Sequence, residues 1–306
     1  WSQAGRSVLH GSMLASLALV LSAYLSPPEC VGRRALVFGA GAASLVVPTR
    51  PLAALAADYA ELQTRLDTPL VAQASMAPAL GKVEPKVPGW LSGRWQCEQT
   101  LRRYSTPQGV QYIGAAGRPV SEAEASAAQT RSQIGRPVTL ELRWRPAPGG
   151  GAVEDRPFNA RSRLDAFAGR AVVRSALTCD EAGVDAPGLS CTYVEFSGPI
   201  VQKQFVNSVR VAAAPDAADG AFVSSDITRT ILARRKVAGD TRNFPPLTVD
   251  SEVLLSLSST SPDTASGRLR LVEYLNANDP LYFAAGGKSV SISDYSLALT
   301  RLPPEQ

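Results

Sequence analysis

Side chains that do chemistry without a cofactor are histidine, cysteine, the carboxylates and tyrosine, and this sequence distributes them unevenly. The single histidine is His10, inside an apolar N-terminal stretch that reads as a leader. The chain behind the leader therefore lacks imidazole, which excludes a Ser-His-Asp or Cys-His nucleophile system and any zinc or iron site built on histidine. No metal and no cofactor is expected. Glu154 and Asp155 are the adjacent carboxylates, but neighbours on a strand point to opposite faces, which is poor geometry for a paired acid and base.

Of the four cysteines, Cys179 and Cys191 flank eleven residues that include Gly183, Pro187 and Gly188, a hairpin-like link between two strands. In an exported protein such a pair is a candidate disulfide, although spacing alone does not fix connectivity. Cys97 lies beside Trp95 on an apolar face and reads as a buried free thiol.

The stretch 35–44, ALVFGAGAAS, imitates a nucleotide-binding turn with Gly39 and Gly41. A dinucleotide fingerprint needs those glycines to open a helix of several turns. Pro48 and Pro51 stop such a helix, Ser44 stands at the sixth motif position, and no second βαβ unit follows Asp58. Read with the residues around it, the same stretch is an export signal. Arg33 and Arg34 precede the apolar run 35–47, and Ala54-Leu55-Ala56 supplies a small-residue cleavage site; paired arginines mark the twin-arginine route. A second apolar run, Met13 to Leu25, also has the form of a cleavable signal. Two in series resemble the stacked leaders of thylakoid lumen proteins in algae with extra plastid membranes; the alternative is an apolar plastid transit peptide over 1–32. The chain opens on Trp1, so its N-terminus is expected to lie upstream.

The net charge of +4 comes mostly from the leader, which carries Arg6, Arg33, Arg34 and Arg50 against Glu29. Behind it 27 basic residues face 26 acidic ones. This balance gives no nucleic-acid footprint, and no transmembrane span is expected in the mature chain.

Three parts follow: a targeting leader over 1–56 (signal-like at 13–25, twin-arginine at 33–56), an N-terminal helix and linker over 57–87, and a β domain over 88–306. Tyr59, Leu62 and Leu66 predict an amphipathic helix. From Pro88 the apolar period becomes two. One face gathers Leu91, Gly93, Trp95, Cys97 and Leu101; then come Val138, Leu140, Leu142 and Trp144, and later Val249, Val253, Leu255 and Leu257. Further strands are expected at 171–178, 189–197, 200–212, 221–232, 267–275 and 288–302. About nine strands separated by Gly/Pro/Asp-rich turns predict a mainly β fold, an antiparallel barrel or sandwich. Helices are expected at 121–133 and at 160–168, the latter capped by Asn159 and stopped by Gly169.

Gly93-Arg94-Trp95 resembles the Gly-x-Trp signature of lipocalins, whose Trp closes one barrel end under an Arg from the last strand. Arg301, on one face with Tyr295, Leu297 and Leu299, is the candidate partner. The resemblance implies a lipocalin-like β-barrel whose interior holds Trp95, Cys97, Leu140, Leu142, Trp144, Val253, Leu255 and Tyr295, with Arg301 across the end.

The blocks PGWLSGRWQC, EDRPFNARSRLDAFAG, GRLRLVEYL and VSISDYSLAL together resemble a chloroplast and cyanobacterial domain-of-unknown-function family (6816) over 88–306. The most specific block contains Asp155, Arg156, Phe158 and Asn159, where Asp155 and Arg156 are expected to pair and fix a strand-to-helix corner. The resemblance implies a plastid address and brings no catalytic residues. The resulting expectation is a thylakoid lumen protein that binds a small apolar ligand such as a pigment, lipid or quinone. The alternatives are a non-enzymatic auxiliary or assembly factor of photosynthetic membrane complexes, and a barrel enzyme acting on an apolar substrate.

Overall fold

In the computed structural model, residues 52–74, 84–114, 119–184, 189–214, 220–235 and 246–304 are described. Their main feature is one antiparallel sheet of ten strands that curls into a half-barrel, consistent with the lipocalin-like barrel expected. The strands are β1 Gly93–Ser105, β2 Pro137–Pro146, β3 Ala152–Glu154, β4 Val173–Thr178, β5 Ser190–Phe196, β6 Ile200–Ala213, β7 Phe222–Arg234, β8 Leu247–Ser261, β9 Thr264–Tyr274 and β10 Ser291–Arg301. They lie in the order β3-β2-β1-β10-β9-β8-β7-β6-β5-β4. The first long strand therefore pairs with the last, and Trp95 is the register partner of Arg301. Bulges at Leu101/Arg103, Val206/Ser208 and Ser259/Ser261 add local twist and bend. Gly267 permits a close approach of β9 to β8, since a Cβ there would stand 1.9 Å from the Ser256 carbonyl oxygen.

Among the described residues four α-helices accompany the sheet: α1 Leu52–Asp67, α2 Val120–Arg131, α3 Arg156–Ala168 and the single turn α4 Tyr282–Ala285. The helix expected at 160–168 is one turn longer at its start. Asn159 is not its cap: the Asp155 carboxylate accepts the Phe158 amide hydrogen and the helix begins at Arg156. Pro157 suits the first turn, where its missing N–H has no helical partner to lose, and Gly169 ends the helix in the left-handed region.

Helix α3 covers the place where the sheet would otherwise be open. The short strand β3 pairs only with Trp144–Pro146 of β2, which leaves the rest of that edge without a strand. Asn159 Oδ1 accepts the Arg143 N–H at 2.7 Å, Asn159 Nδ2 donates to the Arg143 carbonyl at 3.2 Å, and Ser162 Oγ accepts the Glu141 N–H at 2.9 Å. On the other side Asp165 Oδ1 accepts the N–H groups of Val172 and Val173 at 2.7 and 2.9 Å, at the start of β4. Side chains of one helix thus satisfy backbone groups on both sides of the seam, removing an exposed edge that invites aggregation.

Helix α1 lies on the outer face. Leu62, Leu66 and Val71 are buried against Ala212, Val223, Leu254, Val272, Tyr274 and Ile292, each contributing about 1.5–3 kcal/mol as an upper figure. Below it Glu252, 1% exposed, receives Arg65, Ser225 Oγ at 2.6 Å and Tyr274 OH at 3.0 Å. Arg270 pairs with Asp294 and donates to the carbonyls of Arg65 and Thr68. These contacts give the buried charges partners, as burial requires. Ala54 and Ala56 lie in the first turn of α1, ahead of Asp58 and Tyr59, where its described side-chain contacts begin. Arg33, Arg34 and the apolar runs lie outside the described residues.

Candidate functional site

The barrel has a closed end and a hollow middle. At the closed end Trp95, fully buried, donates its indole N–H to the Leu91 carbonyl at 2.7 Å and meets Trp90 edge to face at 6.1 Å. The Arg301 guanidinium lies 4.2 Å from the Trp95 ring centroid and donates to the carbonyls of Trp90 (2.6 Å), Ser92 (2.7 Å) and Pro262 (3.1 Å). This arrangement explains Gly93. Its φ is +116°, and a Cβ would come within 3.1 Å of Arg301 Nη1, so the site needs glycine for both backbone shape and space.

Beyond this plug lies a cavity of about 180 Å³. Trp144, Val253, Leu255 and Tyr295 line it, whereas Trp95, Cys97, Leu140 and Leu142 pack into the solid core beside it. A second space of about 240 Å³ meets the first across Gln99, Phe167 and Tyr295 and extends towards Gln133 and Arg136. Cys97 contributes no nucleophile, since burial pushes its thiol up to about 12. Cys179 and Cys191 are joined in a disulfide with their Cα atoms 5.3 Å apart.

The polar part of the cavity centres on Arg156. Its Nε donates to Glu84, its Nη1 reaches Glu154 at 3.1 Å and its Nη2 reaches Asp226 at 2.8 Å. Glu154 also receives Arg163 Nη1 at 3.1 Å and Asn159 Nδ2 at 2.9 Å. Burial pushes Glu154 upward, but Arg156 and Arg163 outweigh it and hold the carboxyl down to about 2. For Asp226 burial wins over Arg156, and its carboxyl is raised. Burial alone would lower Arg156; its three acidic neighbours raise it instead.

The expected Asp155–Arg156 pair is not what holds the corner. Asp155 faces outward from the seam and binds Arg143 through Nε at 2.9 Å and Nη2 at 2.8 Å, with Arg145 at 3.7 Å. Arg156, one residue on and already helical, points to the cavity side. Phe158 packs under Arg143, whose guanidinium stands 4.2 Å from the ring centroid, and Asn159 clasps the β2 edge. Glu154 ends β3 while Asp155 caps the helix, so the two acids have separate duties.

Several cavity residues escaped sequence reasoning: Gln99, Gln202, Ser224, Asp226 and Glu84. The first three are each 6% exposed, face the cavity and have no hydrogen-bond partner among the described residues. Ser224, Asp226, Thr228 and Thr230 alternate along β7 as a solvent-facing row would. Their signal was the unusual length of that polar alternation between Phe222 and Leu232. Glu84 comes from the segment read as a linker, which Val87 ties to Ala152 of β3.

Among the described residues no group of three or more His, Cys, Asp or Glu side chains is placed to hold a metal ion, and no helix is long and apolar enough to cross a membrane. The model of the family described as Domain of unknown function (DUF6816) matches residues 81–303, and the chain belongs to that family. No curated protein and no solved structure matches it.

Proposed function

We propose that this protein is a thylakoid lumen carrier or store whose barrel holds one small, mainly apolar molecule with a polar end, in the class of pigments, lipids and quinones. The observation that carries the reading is the cavity itself. Apolar walls from Val253, Leu255, Leu269 and Leu271 surround it, while the buried side chains of Gln99, Gln202 and Ser224 face it without partners. Their polar atoms open onto the cavity space, where a ligand's polar end or water can bond them. An apolar pocket with a few convergent polar groups is the usual form of a small-molecule site. The lumen address rests on Arg33-Arg34 and the apolar run behind them.

The auxiliary-factor reading gains less support, because among the described residues the exposed large apolar ones are Val120, Ile134, Leu177, Leu281 and Phe283, of which only Leu281 and Phe283 sit together, at the short helix α4. The enzyme reading has one favouring observation: Asp226 is raised while Glu154 is lowered, the divergence that acid–base sites use. Both carboxylates are nevertheless partners of one arginine.

The test is binding of 1-aminoanthracene, an uncharged fluorophore that brightens in apolar surroundings. The purified protein should bind it in a saturable manner. Val253→Trp, which fills the cavity, should lose that binding while unfolding at a similar temperature. Equal binding by a folded Val253→Trp variant would refute the cavity reading. For the address, replacing Arg33 and Arg34 by Lys should block entry into isolated thylakoids; unimpaired import would remove the twin-arginine assignment.

A further inference from the structure

We infer that the cavity selects a neutral molecule whose polar end is a hydroxyl, an alcohol or a phenol, and rejects carboxylates and phosphates. The inference rests on the cavity being a ligand site and adds the chemical class of its occupant. Four acidic side chains line the wall, Glu84, Glu154, Asp226 and Glu273, against two basic ones, Arg156 and Arg163. Even with Asp226 protonated the acids outnumber the bases. A buried anion would therefore enter a site of its own sign, where desolvation and repulsion both oppose it.

Arginine usually overturns such an argument, because its planar fork grips carboxylate and phosphate through two parallel bonds. Here the fork is already engaged. Arg156 uses Nε for Glu84, Nη1 for Glu154 and Nη2 for Asp226, so three of its five N–H donors are committed and each nitrogen already faces a carboxylate. Arg163 gives only Nη1 to Glu154, but that carboxylate already offsets its charge. The neutral groups left over beside Arg163 Nε and Nη2 are the amides of Gln99 and Gln202 and the hydroxyl of Ser224, which line the cavity without partners among the described residues. An amide offers both a carbonyl acceptor and N–H donors, and a ligand hydroxyl matches it because it also donates and accepts. A carboxylate can only accept, so it would leave the amide carbonyls unbonded.

Calorimetric titration of the purified protein at neutral pH with decan-1-ol, decanoate and decylamine, below their aggregation limits, tests this. The three share one tail, and the two ions are both strongly hydrated but opposite in sign. Decanol should bind at least tenfold tighter than decanoate, and decylammonium should also exceed decanoate by about tenfold. Glu84→Gln, which frees one arm of Arg156 and removes a negative charge, should raise decanoate affinity about tenfold while moving decanol less than threefold. Decanoate binding as tightly as decanol or decylammonium would overturn the inference, as would an unchanged decanoate affinity in Glu84→Gln. Should none of the three bind while 1-aminoanthracene does, the hydroxyl selectivity fails and the cavity reading stands; should 1-aminoanthracene fail too, both fall.

Discussion

Trp95 and Arg301 are separated by more than two hundred residues in sequence and meet only because β1 pairs with β10, so the energy of their contact measures the pairing of the first long strand with the last. Trp95 is fully buried, and truncation to Ala should cost about 3–5 kcal/mol through lost burial and the cavity left behind. Arg301→Met keeps much of the stem and removes the charge. It loses a cation–ring contact worth about 0.5–2 kcal/mol. It also loses three hydrogen bonds to carbonyls at a partly exposed rim, which water restores in part, so its total should be about 2–3 kcal/mol. The double variant isolates the pair, and the two losses should overlap by about 0.5–2 kcal/mol. Equilibrium urea unfolding followed by far-ultraviolet circular dichroism would measure all four proteins. Additivity within about 0.3 kcal/mol, or a Trp95→Ala cost below about 1 kcal/mol against the expected 3–5, would refute the strand-pairing argument.

Gly93→Ala should destabilise by about 1–3 kcal/mol, because its φ of +116° strains any other residue and the new methyl meets Arg301; a neutral substitution in thermal unfolding would contradict this. Asn159→Ala should cost about 3 kcal/mol by orphaning the backbone of Arg143 at the seam, and should speed hydrogen exchange at that amide; a change in stability without faster local exchange would count against the seam. Glu154, folded at about 2 against an ordinary 4.5, contributes stability that is present above pH 4.5 and fades as pH falls towards 2. The gap between the wild type and Glu154→Gln should therefore be largest near neutrality and shrink in acid, so a gap that widens on acidification would show the sign to be wrong. Opening the Cys179–Cys191 bridge should cost about 3 kcal/mol in the chain-entropy model; alkylation of both cysteines in unreduced, denatured protein would show that no bridge forms.

Much of the barrel was legible because period-two alternation survives wherever one face is apolar. β1, β2 and β8 announce themselves through Trp95, Leu142 and Val253, and the pairing of first and last strands follows from a charge, Arg301, stranded on an apolar face. β3 escaped because three residues carry no period. The helix start was misplaced because Asn159 has the chemistry of a cap, while its actual role, clasping the β2 edge, depends on Arg143, 16 residues earlier. The cavity was least visible. Its polar wall on β7 alternates like an outer face, and a strand with Ser224 and Thr228 inward and Val223 and Ile227 outward carries no sequence mark of which side is hollow. Arg156 was singled out from its motif, but its partners Glu84 and Asp226 lie about seventy residues away on either side, and only the curled sheet brings the three together.

The central claim is that this barrel exists to hold a molecule. Native mass spectrometry of the protein isolated from its own source, beside the Val253→Trp variant expressed there, addresses it most directly. The account predicts one neutral, mainly apolar, hydroxyl-bearing molecule retained per wild-type chain and none on the filled variant. A wild-type chain that arrives empty, or a molecule retained equally by the two, would contradict it.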